Sequence, residues 1–299
     1  MGRELASDLT SPSAEQILPS GDRPSRTSQL VALTRANLDR PHTPDGDPDA
    51  QRRLCAGMRP PPDGWLRPDL AARTRFFDEQ VLSAIAANIG QIVILGAGYD
   101  DRALRFRSPA VRYFELDHPA TQADKAGRLL TLEPETDRLV LAPADFREDD
   151  VAVVLAAAGH DASTPSLFIC EGLLVYLDEP TIIRLLAALR RRCAAGSVLC
   201  ASLAVHAEGL DSERVVETAN ARRRTSAVEP WRTILTLEAH VALVARAGWH
   251  VEHVADTSDF GGDPEAKGSP FVVARPTWAC TARRPAGSRY PSACTTLDP

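Results

Sequence analysis

From residue 91 onward the chain alternates between short, continuous apolar runs and longer stretches in which apolar residues recur at helical spacing. Gln91–Leu95 (QIVIL), Arg112–Asp117 (RYFELD), Arg138–Asp145 (RLVLAPAD), Ser166–Glu171 (SLFICE) and Ser197–Leu203 (SVLCASL) read as strands, and Trp249–Ala255 and Phe271–Arg275 bring the set to seven. Runs that are apolar on consecutive positions, rather than on alternate ones, belong to strands buried on both faces. That is the pattern of a mostly parallel sheet with helices on either side. Glu179–Cys193 is a strong helix candidate, and Thr236–Ala247 another, with Thr236 suited to the N-cap and Gly248 to the C-terminal end. Upstream, Phe76, Phe77, Val81, Leu82 and Ile85 form one face of a helix over Asp69–Asn88, and a short helix is predicted over Ser28–Leu38.

Turn-rich breaks at 41–48 and 59–64 divide the N-terminal part. The segments 1–25 and 280–299 are poor in apolar residues and are expected to be disordered tails. Between them the expected organisation is a helical segment over 26–90 and one α/β domain over 91–279. Within that domain, 204–235 is too long for a simple connection and is expected to form a lid or an acceptor wall.

Composition narrows the partners. The 299 residues carry a formal net charge of −6, with no basic stripe interleaved with aromatics, which argues against nucleic acid as a partner. The triplets Arg190–Arg192 and Arg222–Arg224 read as solvated faces. No segment reaches the roughly 18 apolar residues of a membrane span, and no leader pattern opens the sequence. The six cysteines show neither C-x-x-C spacing nor a paired framework, so a reduced, cytoplasmic setting is expected. His250 and His253 have an H-x-x-H spacing, but strand alternation would place them on opposite sides, and no metal site is expected.

The most informative segment is Gly96-Ala97-Gly98-Tyr99-Asp100-Asp101-Arg102, directly after the first strand. Glycines there allow a sharp turn and a close approach of backbone to a ligand. Asp117 ends the next strand 19 positions after Gly98, where a carboxylate can accept from both hydroxyls of a ribose. A dinucleotide loop would need a third glycine where Asp101 stands, and paired acids repel a pyrophosphate. A nucleoside without phosphate fits better than a nicotinamide dinucleotide, and a sulfonium cofactor tolerates the acidic loop.

In these blocks the chain resembles the leucine carboxyl methyltransferase family and related bacterial class I S-adenosylmethionine-dependent O-methyltransferases. The resemblance rests on Ala72–Asp78 (ARTRFFD), Leu95–Arg102 (LGAGYDDR), Tyr113–Pro119 (YFELDHP), Ala144–Arg147 (ADFR) and Cys170–Leu177 (CEGLLVYL), with a fainter echo over 28–58. At Phe146 the family more often has leucine. The implied fold is a Rossmann-like, doubly wound, mostly parallel seven-stranded sheet whose last strand is antiparallel. The implied cofactor is S-adenosyl-L-methionine. By position, Arg73 would hold its methionyl carboxylate, Gly96, Ala97 and Gly98 would line it, and Asp117 would bind the ribose. Asp145 and Phe146 would meet adenine, with His118 flanking it, and Glu171 would lie beside the methionyl end. Arg147 and Tyr176 match positions that face the acceptor in carboxyl-methylating members. Asp100 and Arg102 are expected to pair with each other and fix the loop, and Asp117 is preferred over Glu115 as the ribose ligand.

Methyl transfer from a sulfonium is an in-line displacement that needs positioning and exclusion of water. An ionised carboxylate acceptor requires no base, whereas a hydroxyl usually does, and His206 is the best-placed histidine for that role. The expectation is therefore an oxygen-directed methyltransferase acting on a small molecule or peptide, carboxylate before hydroxyl. The strand-four block lacks the Asn/Asp-Pro-Pro-Tyr pattern of many amino-methylating enzymes. Two alternatives are a hydroxyl O-methyltransferase and a non-catalytic S-adenosylmethionine-binding protein. Oligomeric state is left open.

Overall fold

A computed structural model describes residues 23–59, 68–132, 137–222, 229–262 and 270–277. The seven predicted strands all form: β1 (Gln91–Leu95), β2 (Arg112–Asp117), β3 (Leu139–Pro143), β4 (Ser166–Cys170), β5 (Val198–Ser202), β6 (Trp249–Ala255) and β7 (Phe271–Pro276). They make one sheet in the order β3-β2-β1-β4-β5-β7-β6. β7 runs antiparallel to both β5 and β6, and the pairings among β1 to β5 are parallel. The fold is the doubly wound α/β sheet that the apolar runs predict. Strand order reverses between β1 and β4, so a crevice opens beyond their carboxyl ends.

The consecutive apolar positions are explained by two cores. Val93, Leu95, Phe114 and Phe168 pack on one face with Leu155, Leu185, Leu186, Leu189, Val244 and Trp249. Ile92, Ile94, Tyr113, Leu167 and Ile169 pack on the other with Phe76, Phe77, Val81 and Phe271. The helices are α1 (Arg26–Arg35), α2 (Ala50–Leu54), α3 (Pro68–Ala86), α4 (Arg102–Arg105), α5 (Pro119–Leu132), α6 (Val151–Ala157), α7 (Glu179–Arg191), α8 (Ser212–Arg222) and α9 (Leu237–Arg246). Thr236 caps α9 as expected, its side chain accepting from the Ala239 amide at 3.2 Å. Ser25 caps α1 in the same way, so residue 25 belongs to the ordered helix start rather than to a tail. The rest of the expected tails, 1–22 and 280–299, lies outside the described residues.

Two readings change. β3 is shorter than the predicted Arg138–Asp145, because Ala144 onward turns over the strand end. His250 and His253 do not face opposite sides: a bulge between Val251 and His253 puts an extra residue into β6, and both histidines are exposed while Trp249, Val251 and Val254 pack toward the core. The 204–235 segment is pinned at its ends by a parallel bridge between Val205 and Leu235 and carries α8, which buries none of its residues. Among the described residues no helix is long and apolar enough to cross a membrane.

Candidate functional site

At the end of β1 the chain turns through Gly96 and Gly98, both at positive φ (65° and 51°). A Cβ on Gly98 would lie 2.6 Å from Cβ of Ser28 on α1, so only glycine fits under this helix. The Gly98 amide donates to Oδ2 of Asp117 at 2.6 Å, and the His118 amide donates to Oδ1 of the same carboxylate at 2.6 Å. β2 thus delivers Asp117 to the glycine turn, with Ala97 tied to β2 through Leu116 O at 3.1 Å. Close packing pushes the Asp117 pKa up, against the pull of these two N–H donors. Glu115 points away into the interior, where it pairs with Lys125, and burial raises it to about 7. Of the two acids, Asp117 is thus the one at the glycine turn.

Beyond β4, Arg73 on α3 donates through Nε to Oε1 of Glu171 at 2.9 Å. A Cβ on Gly172 would lie 3.5 Å from both terminal nitrogens of Arg73, which have no acceptor among the described residues. Glu171 is also held by Arg35 and, at 2.8 Å, by Arg102. Burial alone would raise its pKa, but the three guanidinium groups outweigh burial and hold it far below the usual carboxylate range. Arg102 pairs with Asp100 at 2.6 Å, as the sequence suggests. Tyr176 sits on a 3-10 turn (Leu174–Tyr176) near Arg73. The amides of Arg232 and Thr233 both donate to Val175 O, which lays the end of the 204–235 segment along this turn.

The third group follows β3. Asp145 accepts from the Arg147 amide at 3.0 Å, from its Nε at 3.1 Å and from its Nη2 at 2.8 Å. These hydrogen bonds lower the Asp145 pKa. Phe146 packs against the core edge. Arg147 therefore engages Asp145, at the place read for adenine, rather than reaching toward Tyr176. His118 accepts the Ala120 amide at 3.3 Å at the start of α5. His206 lies apart: Nδ1 meets Ala207 O at 2.8 Å and Nε2 meets Ser212 Oγ at 2.8 Å, so both ring nitrogens fasten the start of α8. Three charged residues escaped the sequence reading. Arg35, Arg40 and Asp78 are buried beside the glycine loop. Asp78 lies within a quoted motif, but neither arginine carries a periodic signal.

The family's model, described as leucine carboxyl methyltransferase, matches residues 29–190, more than half of the chain. The chain belongs to the leucine carboxyl methyltransferase family. A Streptomyces coelicolor protein named "Putative S-adenosyl-L-methionine-dependent methyltransferase" is 38% identical over 160 residues, 52% of this chain and 52% of its own. A Parafrankia protein of the same description is 35% identical over 214 residues, 71% of this chain and 66% of its own. The chain spans about half the length of the first of these relatives. Among solved structures, a Thermobifida fusca protein titled "putative methyltransferase" shares the fold with a TM-score of 0.56 at 18% identity, covering 85% of this chain and 96% of its own. The resemblance read from five short blocks is thus met at family level, and S-adenosyl-L-methionine is the cofactor that these relatives' names carry.

Proposed function

We propose that this member of the family transfers a methyl group from S-adenosylmethionine to an oxygen of a small-molecule or peptide acceptor, with a carboxylate as the favoured acceptor. The residues present fit that cofactor. Asp117 retains lone pairs beyond the two backbone donors and can take the ribose hydroxyls, and the Gly96–Gly98 turn brings backbone against the nucleoside. Arg73 offers a carboxylate two terminal nitrogens that have no acceptor among the described residues, in the fork geometry that suits it. Asp145, with Phe146, would meet the adenine amine and ring, and His118 stands beside Asp117. Bound there, S-adenosylmethionine supplies an electrophilic methyl on a positively charged sulfur.

One observation favours a carboxylate acceptor: His206, the base read from the sequence, is committed elsewhere, and so is the Glu171 carboxylate. Glu171 is held ionised by three arginines, with a pKa too low to draw a proton from a hydroxyl, and His206 ties both nitrogens into the α8 start. An acceptor that arrives ionised needs neither. Glu171 then serves to aim Arg73 rather than to bind the cofactor's ammonium. Arg147 and Tyr176 would line the acceptor side, Arg147 by sharing or releasing Asp145, and the 204–235 segment would close over them and exclude water. Incubation with methyl-labelled cofactor and a metabolite extract tests the reading. A labelled ester that yields methanol under mild base is expected, a base-stable ether would make the acceptor a hydroxyl, and bound cofactor without any labelled product would leave a binding protein.

A further inference from the structure

The arginines and carboxylates behind the crevice form a line of alternating charge. Arg105 Nε meets Asp101 Oδ2 at 2.8 Å, and Asp101 Oδ1 meets Arg40 Nη1 at 2.7 Å. Arg40 grips Asp78 with Nε and Nη2, at 2.8 and 3.0 Å. Asp78 Oδ1 meets Arg102 Nε at 2.7 Å, Arg102 Nη1 meets Glu171 Oε2 at 2.8 Å, and Glu171 Oε1 meets Arg73 Nε at 2.9 Å. Six of the seven side chains are at most 6% exposed, and only the last, Arg73, reaches the crevice at 23%. Arg35 and Asp100 branch from the Glu171 end.

Across this cluster five guanidinium groups (Arg35, Arg40, Arg73, Arg102, Arg105) share four carboxylates (Asp78, Asp100, Asp101, Glu171). The excess is one positive charge, and among the described residues the open donors are the buried Nε of Arg35 and the two terminal nitrogens of Arg73, the one arginine of the line that is partly exposed. In a low-dielectric interior such a line is stiff, because moving any member leaves its neighbours uncompensated. Asp78 is the central anion. It is one turn of α3 beyond Thr74 and bridges Arg40, from the N-terminal segment, to Arg102, from the glycine loop.

We propose that Asp78 is a positioning residue for the ligand's amino-acid end: it acts through Arg102 and Glu171 to hold the Arg73 guanidinium where an incoming carboxylate meets it, without itself touching ligand. This inference rests on the reading of Arg73 as the carboxylate site. It makes affinity for the amino-acid part of the ligand depend on a side chain three ion pairs away, and leaves affinity for the nucleoside part to Asp117 and the glycine turn.

Calorimetry with two probes tests it on the full chain. S-adenosylhomocysteine carries the amino acid, and 5′-methylthioadenosine lacks it. In Asp78→Asn, S-adenosylhomocysteine should bind about tenfold more weakly, within the range over which changes along connected networks alter a distant site, while methylthioadenosine binds as to the wild type. Arg73→Met should show the same selective loss. Equal weakening of both probes in Asp78→Asn would mean general damage to the site, and unchanged binding of both would mean no relay; either result overturns the proposal. If Asp78→Asn does not fold, Arg40→Lys, which keeps the charge and loses the fork, decides by the same selective loss. A wild type that binds neither probe would overturn the methyltransferase reading and this one with it. A wild type that binds both equally would remove Arg73 as the carboxylate site and leave the nucleoside reading standing.

Discussion

The glycine-loop end of the crevice and the Asp145 end use the same chemistry, arginine against carboxylate, in two different media. Arg102 is wholly buried and meets Glu171 at 4% exposure, whereas Arg147 is 53% exposed where it meets Asp145. Distances are alike, 2.8 Å in both, so geometry does not separate them. Solvent does. A buried charge that loses its partner has no water to replace it, while an exposed one exchanges its partner for water at little cost. The first end is built to stay fixed and the second to trade partners, which would suit the proposed site, with the cofactor's amino-acid part at the fixed end and adenine and acceptor at the other.

The largest expected effect comes from cutting the buried end. Arg102→Met takes one buried partner from each of Asp78, Asp100 and Glu171 and should cost about 3–5 kcal/mol of stability in urea denaturation. A loss below about 1 kcal/mol would show that the buried pairs behave like the exposed one.

A buried group without a counter-charge extends the contrast. His160 lies between Phe114 and Phe168, with Nε2 at 2.9 Å from Ser166 Oγ. Burial, helped by the nearby Arg192, lowers its pKa to about 4 from 6.5, with Asp161 pulling weakly the other way. The unfolded chain therefore binds a proton at pH 6.5 that the folded one refuses until about pH 4. The stability contribution is full above pH 6.5 and is lost as pH falls toward 4, by up to about 3 kcal/mol. Urea midpoints measured from pH 7 down to 4 should fall, and His160→Gln should flatten that slope; an unchanged slope would exonerate His160.

Next comes the nucleoside grip. Asp117→Ala should weaken S-adenosylhomocysteine by about tenfold or more, the scale of hydrogen bonds to a charged group, while the circular dichroism spectrum stays that of the wild type. Affinity within error of wild type would remove Asp117 from the site. The smallest effect is expected at the exposed end, where Arg147→Ala should change stability by no more than about 1 kcal/mol. A loss comparable to that of Arg102→Met would erase the distinction between the two ends.

Much of the fold was legible because buried parallel strands must be apolar on both faces. β1 and β2 have the bounds the sequence predicts, as does β6, although it is an antiparallel edge strand, and Thr236 caps α9 as its position suggests. α5 was harder, since it buries Thr121, Gln122 and Lys125 rather than an apolar stripe. Those polar groups are admissible because the fold supplies their partners: Glu115 and its carbonyl on β2 for Lys125 and Gln122, and the Ser25 amide for Thr121. The β6 bulge was invisible too: an inserted residue changes the facing of His253 without altering the local pattern.

The sequence by itself determined the strand order along the chain, the glycine turn at Gly96 and Gly98, and Asp117 at the following strand tip. These follow from short-range sterics and from the apolar content of neighbouring residues. The tertiary structure alone decided which charges meet. Arg35 and Glu171 are 136 positions apart, Arg40 and Asp101 are 61 apart, and no period along a chain connects them. Ion pairing acts through space over a few ångströms, so its partners exist only once the fold has brought them together.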